Sequence, residues 1–477
     1  MRPIYTYKPQ QLLLLLFGLL VLVQPLTAQE LPKYLNAPIP QTWSVDSLAA
    51  QPVATPARWW TVMADPQLDS LISVGIERNR NLLAAINRIE MAKANFRIAQ
   101  SAFYPSFMWD NSWTKAKQSG QLSSQSSGSG VTTSYFTTAI SSSWEIDVFG
   151  AIRKNAQSQK ELYRASQEDY SALVVSLSSQ IAVAYAQLRT AQQSLLVAQQ
   201  NLESQQKILA ITEGRFKSGL ATSLDVAQAK VTYFSTQASL PAIETSISNA
   251  INSIALLLGD IPSHVRGMLS RDKDIPNYYH LAAIGKPEEI IANRPDIRAA
   301  ARTVDSYASA LGASKRDWYP KVLLNSSVGY SAHEFDRLGN HKSLTYQLAP
   351  AISWTIFNGG QRVQAIKAAR AQLDESINQY NETVLTAIQE VESAITQYTN
   401  ALKQVKALKD VVNQAQIQLR LSLEQYKDGL SNFQNVQTAQ VSLLSSQSQL
   451  ISAEGGALEA LIQLYNSLGG GANAASN

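Results

Sequence analysis

The side chains that could do chemistry in this chain gather in a stretch that occurs twice. Residues 215 to 226 read RFKSGLATSLDV and residues 425 to 436 read QYKDGLSNFQNV. Gly219 matches Gly429, Leu220 matches Leu430 and Val226 matches Val436, while Asp225 is answered by Asn435 and Phe216 by Tyr426. Asp225 can act in two ways: as a cation-binding acid, or as the far end of a capping box begun at Thr222. Asp428 adds an acid just before Gly429, and the Tyr426 hydroxyl can either bond across helices or sit on an ordinary packed ring. Little else suggests a reaction centre. His264, His280, His333 and His341 are scattered, and no HExxH, phosphate loop or nucleophile elbow is present. The SSGSG at 126 to 130 is a low-complexity loop. No catalytic residue, metal ligand set or cofactor is expected.

Each copy of the repeat reads as the tip of a helical hairpin. Lys217 and Lys427 fall in the last turn of an incoming helix, where a cation suits the carbonyl end of the dipole, and each glycine is placed for the left-handed C′ position. Thr222 or Ser223, and Ser431 or Asn432, can cap the outgoing helix, with Asp225 or Gln434 at capping-box spacing. The correspondence continues down the outgoing helix, since Ala229, Val231, Ser235, Gln237 and Leu240 answer to Ala439, Val441, Ser445, Gln447 and Leu450. The chain therefore contains a duplicated half.

The incoming helices are very long. From Ala151 to Glu213 and from Gln361 to Asp428 there is no glycine or proline, and ~63 and ~68 residues would extend about 95 to 100 Å. In the second, Leu373, Ile377, Tyr380, Val384, Ile388, Val391, Ile395, Tyr398, Leu402 and Val405 step by three and four, so it needs neighbours along its whole length. The returning arm of the first half is expected to break at Pro241; that of the second continues to Leu468.

Before each long helix the period changes to two. Phe107, Trp109 and Trp113 alternate with Ser106, Asp110, Ser112 and Thr114; Phe136, Ile140, Trp144 and Ile146 alternate with Thr137, Ser141, Ser143 and Glu145. In the second half Val322, Leu324, Val328 and Tyr330 make one run, and Leu344, Tyr346, Leu348, Ile352, Trp354 and Ile356 another. Two hairpins of this kind, polar on one face and apolar with terminal aromatics on the other, carry the signature of an outer-membrane barrel, although a soluble sandwich alternates too. Trp109, Trp113, Tyr330 and Tyr346 are the membrane-interface aromatics, while Trp144 and Trp354, nearer the helices, are assigned to a core. Trp59 and Trp60 read as buried packing.

The chain opens with Arg2 and Lys8, an apolar run from Leu12 to Val23, and small residues at Thr27 and Ala28. That is a secretory signal peptide over residues 1–28, its about 12 apolar residues falling short of the ~20 of a membrane span. No later stretch reads as apolar enough for a transmembrane helix. The remainder divides into a proline-rich strap and helix (29–102), a first membrane hairpin (103–148), a first helical hairpin (149–258, tip 214–226) and a connector with its helix (259–318). A second membrane hairpin (319–357), a second helical hairpin (358–468, tip 425–436) and a tail (469–477) complete it. In the connector, Pro295 and Asp296 of NRPDIR suit the first turn of a helix, and capping suffices to explain them.

Bulk properties exclude several classes. Among 477 residues, Lys+Arg 40 against Asp+Glu 36 leaves no basic stripe for nucleic acid. The absence of cysteine removes disulfides, thiolate metal sites and an acylated-cysteine anchor. Four strands per chain cannot close a barrel, whose edges must all be paired, so copies must share one. Three copies give twelve strands around one axis; two give eight, too narrow for an aqueous channel.

The succession WWTVMADPQLDSLI, YPSF, WEIDVFG, GLATSLDV, LLLGDIP, NRPDIRAA, WYPKV, WTIFNGGQR, GLSNFQNV and LYNSLGGG resembles the TolC-like outer membrane factor family, and its efflux branch in particular. The resemblance covers essentially the mature chain, and NRPDIR followed by WYP is its most specific part. It implies a homotrimer: a long-helix α-barrel in the periplasm, continuous with a shared 12-stranded β-barrel in outer-membrane lipid. Such a trimer is the exit duct of a tripartite efflux system, with a periplasmic adaptor and an inner-membrane transporter of the RND type as partners. The turns at Gly219, Leu220, Gly429 and Leu430 would present the adaptor-binding surface. Three departures stand out. No cysteine is available for a lipid anchor; Ala301 stands where a glutamate often follows RPDIRAA; and Asn435 and Thr438 replace two aspartates that narrow the pore in relatives. Gating then falls to Asp225, with Tyr426 and Asp428 nearby. The competing readings are a type I protein secretion duct and a periplasmic or secreted helical assembly protein.

Overall fold

The structure is a computed structural model that describes residues 34–43, 58–119, 132–269, 273–276, 279 and 284–471. The signal peptide, the SSGSG loop, His280 and the end of the tail lie outside the described residues. A 3-10 turn, Trp59–Met63, leads into α1 (Pro66–Arg78) and α2 (Arg80–Ser101). The periodicity predicted one helix here, and the structure divides it at Asn79. The Asn79 side chain accepts from the backbone of Asn81 and Leu82 and donates to Leu257 O, so it caps a second helix and pins the break.

Strands β1 (Ser106–Lys117) and β2 (Thr132–Ile146) follow, then α3 (Ala151–Lys217) and α4 (Ser223–Leu258). Short helices α5 (Pro262–Leu269) and α6 (Pro287–Asn293) precede α7 (Pro295–Arg316). The second half repeats the order with β3 (Lys321–Ala332), β4 (Leu344–Ser353), α8 (Gln361–Lys427) and α9 (Phe433–Ser467). At 67 residues each, α3 and α8 run about 100 Å.

Three sequence expectations are corrected here. Helix α4 continues through Pro241. Pro241 lies exposed, where solvent can serve the carbonyl left by its missing N–H. The alternation expected to reach Ile356 ends as a strand at Ser353. And α3 does contain a window long and apolar enough to cross a membrane, yet most of that window is buried inside the chain, as in a core helix.

The four strands form one antiparallel sheet in the order β1-β2-β3-β4. Its register places Trp109 beside Ile140, Ile140 beside Val328 and Val328 beside Tyr346. Among the described residues β1 and β4 are open edges, each with a row of backbone groups that no strand pairs.

Where the helices meet below the sheet, the main core contains Trp59, Trp60, Ile181, Tyr185, Leu188, Ile254, Ile395, Tyr398, Leu461 and Tyr465. Trp59 stacks on Tyr465 at 5.3 Å, as the buried reading of the two tryptophans required. The three- and four-step stripe of α8 supplies Tyr380, Val384, Val391, Ile395, Tyr398 and Val405, all buried. Burial of each such side chain stabilises by roughly 1.5–3 kcal/mol, which is what holds a helix this long in place. Tyr34, Leu35, Ala37 and Ile39 of the strap pack on a second cluster with Tyr380 and Val384, and Asn381 Oδ1 accepts from the backbone of Asn36 and Ala37.

Two polar networks lie in this equatorial region. Tyr185 donates to Asp65 at 2.5 Å, and the fully buried Arg189 donates to Gln67 and Gln192 and lies 4.7 Å over the Tyr185 ring. The second contains NRPDIR, and capping does not exhaust its role. Arg294 donates to Asp296, to Glu390 on α8 and to Ser467 O at the end of α9, tying three helices. Arg298 pairs with Glu168, and Arg302 with Glu161, along α3. Ala301 packs against the second cluster, so the ion pairs to α3 run through its neighbours instead.

Candidate functional site

At the first tip, α3 ends at Lys217 and Gly219 takes φ 72. Leu220 N donates to Arg215 O at 2.9 Å and Gly219 N to Phe216 O at 3.0 Å. Only a residue without a Cβ adopts that backbone at little cost. At the second tip Gly429 takes φ 76, and Leu430 N donates to Gln425 O at 2.9 Å. The turns are thus chemically equivalent, and Leu220 and Leu430 are left exposed at 65% and 79%.

Their caps differ. Thr222 Oγ1 accepts from Asp225 N at 3.2 Å, and Asp225 Oδ2 accepts from Thr222 N at 2.8 Å, completing a capping box. Asn432 caps the second outgoing helix by accepting from Asn435 N at 3.3 Å, while Asn435 Nδ2 donates to Ser431 Oγ at 2.8 Å. Gln434, the alternative box residue, is one place short of N3 from Asn432, and its side chain meets Gln228 across the tips at 3.5 Å. Thr438 is exposed and its hydroxyl donates to Gln434 O at 2.9 Å, within its own helix. Asp428 is exposed beside Gly429.

Tyr426 is buried and stacks edge-on with Phe433 at 5.4 Å, the ordinary packed aromatic among its two readings. Arg215 joins the two tips. Its guanidinium lies 4.8 Å from the centre of the Tyr426 ring, and its Nη1 donates to Lys427 O at 2.6 Å. Sequence reasoning did not single out Arg215. The signal was available in the repeat itself, because two of the several positions where the copies differ, Arg215 against Gln425 and Phe216 against Tyr426, supply the pair that meets, Arg215 and Tyr426.

The sheet has two chemically opposite faces. One carries Phe107, Trp109, Trp113, Phe136, Ile140, Val328, Tyr330, Tyr346, Leu348 and Ile352. Trp109 is 72% exposed and Trp113 59%, yet their indole N–H groups donate to Thr138 and Ser134. Tyr346 is 83% exposed and Tyr330 37%. Rings presented outward with their N–H groups satisfied on the sheet suit hydrocarbon, where an unmet polar group is costly. The other face carries Ser106, Ser112, Thr137, Ser141, Ser143, Asn325, Ser327, Gln347 and the charges Asp110, Glu145 and Lys321.

Trp144 and Trp354 serve the junction. Trp144 donates to Phe103 O and Trp354 to Trp318 O, so each ties a strand end to the preceding helix. Trp144 is half-buried as expected, but Trp354 is 54% exposed in the chain, which corrects its assignment to a core. Among the described residues, no group of His, Asp and Glu is arranged to hold a metal ion.

A sheet with a lipid-compatible face and a hydroxyl-lined face, continued by helical hairpins whose long arms run about 100 Å, defines a membrane-inserted duct. The chain belongs to the family described as outer membrane efflux protein, whose sequence model it matches over residues 71–260 and 287–470. It is 29% identical over 417 residues to nodulation protein T of Rhizobium leguminosarum bv. trifolii, covering 87% of this chain and 88% of the relative. To the solvent efflux pump outer membrane protein SrpC of Pseudomonas putida it is 29% identical over 421 residues, covering 87% of each. Among solved structures, the outer-membrane channel OprN superposes with a TM-score of 0.86 at 27% identity, over 91% of this chain and 98% of that one. The outer membrane protein VceC of Vibrio cholerae does so with a TM-score of 0.81 at 26% identity, over 87% and 99%. The protein is therefore an outer-membrane exit duct of an efflux system, passive rather than enzymatic, with its strands in the membrane and its helices in the periplasm.

Proposed function

We propose that three copies of this chain close a twelve-stranded barrel and a continuous helical barrel, forming the outer duct of a tripartite pump that exports small molecules. The open edges of the four-stranded sheet carry this reading: β1 and β4 expose unpaired backbone that membrane lipid cannot satisfy, and a neighbouring copy can. Two of the relatives are named for pumping solvent and toluene, which supports small organic cargo. The hydroxyl-lined sheet face is the wall along which it would leave.

The six hairpin tips of such a trimer would form the periplasmic mouth. Gly219 and Gly429 set turns that present Leu220 and Leu430, and this apolar rim suits a periplasmic adaptor carrying an inner-membrane transporter of the RND type. Asp225, Asn435, Thr438, Asp428 and Tyr426 sit at or just behind that mouth, and Asp225 is the one carboxylate fixed within an outgoing helix there. Purification in detergent, measurement of stoichiometry and conductance in planar bilayers test the proposal. A trimer with steady ionic current is expected; a monomer that neither inserts nor conducts would overturn it.

A further inference from the structure

Three charged side chains occupy the polar face of the sheet: Asp110, Glu145 and Lys321. Two of them cancel. Lys321 Nζ lies 3.2 Å from Glu145 Oε1, near the helix-proximal end of the strands. Among the described residues Asp110 has no such partner on that face; its carboxylate accepts from the neutral Ser141 hydroxyl at 2.9 Å. Its surroundings are also small. In register with Asp110 across the sheet stand Ala139, Gly329 and Thr345. Gly329 cannot carry a side chain, because a Cβ there would collide with the backbone at Thr138 and Ala139. The level of Asp110 is therefore a shallow band in which one carboxylate stands above alanine, glycine and threonine.

We infer that Asp110 is the fixed charge that gives the strand-lined part of the duct its preference for cationic solutes. This rests on the duct reading, since the polar face must line a shared lumen. Repeated by the symmetry of the assembly, Asp110 makes a band of negative charge with nothing opposing it at that level, while each Lys321–Glu145 pair adds no net charge nearer the helices. Such a band raises the local concentration of cations and lowers that of anions. Because the lumen is wet, the effect must weaken as salt shortens the screening length from ~10 Å at 0.1 M to ~3 Å at 1 M. The cargo class this favours is the organic cation with an apolar body, whose charge is held at the wall while hydroxyls accommodate the rest.

The test is the potassium-to-chloride permeability ratio of the full-length protein in planar bilayers, from reversal potentials under a KCl gradient. The tips lie in series with the sheet, so each measurement is repeated in an Arg215→Ala background, where the tip clasp is loosened. The expected result is a ratio above one that falls by at least about twofold in Asp110→Asn, inverts in Asp110→Lys and declines toward one in high salt. Lys321→Met, which frees Glu145, should raise the ratio, showing that net charge on this face governs it. Current with an unchanged ratio in both Asp110 variants overturns the assignment and leaves the duct standing. No current in either background, from protein shown to be inserted, overturns the duct reading and the assignment with it.

Discussion

The Arg215 guanidinium lies 4.8 Å from the centre of the Tyr426 ring and donates to Lys427 O at 2.6 Å. A cation from the first hairpin thereby caps the carbonyl end of the long helix of the second, at the place where the helix dipole makes that carbonyl most negative. The same tips also meet through an apolar cluster of Ile208 and Ala229 with Tyr426, Phe433 and Val436, so the Arg215 contact adds a polar clasp to an apolar seam.

Arg215→Ala should loosen the tips without unfolding the chain. The cation–π contact, between a half-buried guanidinium and a buried ring, is worth about 0.5–2 kcal/mol, and the hydrogen bond, with its charged donor, about 1.5–3 kcal/mol. Amide exchange over residues 215–225 and 425–436 should rise several-fold, while the thermal transition stays within about 2 °C, because tip opening is local. Arg215→Lys should restore little, since an ammonium lacks the planar fork that stacks and donates together. A drop in the global transition with unchanged tip exchange would refute the clasp.

Asp225 and Thr222 can be separated by mutation. Thr222→Ala removes the cap acceptor and should cost about 1 kcal/mol of local helix stability, with faster exchange at the start of α4. Asp225→Asn keeps the shape of the box and removes its charge. If Asp225 also lines the constriction, this variant alone should lower cation preference or raise open probability in bilayers; unchanged conductance returns Asp225 to capping.

Much of this architecture is legible in the residues. The glycine-free and proline-free stretches, the alternation before each of them and the duplicated tips have short-range causes, so periodicity reveals them. Long-range pairings are not legible in this way. Arg294 reaches Glu390 and Ser467 across the fold, and nothing local to NRPDIR distinguishes that from a helix cap. The Asp65–Tyr185 hydrogen bond is hidden for the same reason. Pro241 failed as a breaker because tertiary packing on both sides of it outweighs about 3 kcal/mol of local cost.

Arg294 should be the most sensitive residue of the connector. Its side chain is 9% exposed, whereas its carboxylate partners Asp296 and Glu390 are 37% and 40% exposed. Removing it leaves those acids partly solvated, so Arg294→Met should cost about 2–3 kcal/mol, less than the 3–5 typical of a fully buried pair. Unpairing Ser467 O as well should make the end of α9 exchange faster. Thermal denaturation in detergent, with exchange at residues 460–468, checks both effects; a transition equal to wild type would contradict the junction role.

Alkaline pH should weaken the helical core through its tyrosines. Burial pushes the Tyr380 phenol up to about 12, and burial likewise raises Tyr398 and Tyr465. An acid whose folded value lies above its unfolded ~10 favours folding in its neutral form. The contribution is fully present below pH ~10 and is lost as pH rises through 12. Tyr380→Phe keeps the ring that packs with Val384 and removes the ionisable group. The variant should match wild type at pH 7 and retain more helical signal between pH ~10 and ~12. Because Tyr398 and Tyr465 still titrate, the transition should shift upward rather than vanish. Circular dichroism against pH, for wild type, Tyr380→Phe and Tyr398→Phe, reads this directly. Identical alkaline transitions in all three would show that deprotonation of these phenols does not limit the stability of the core.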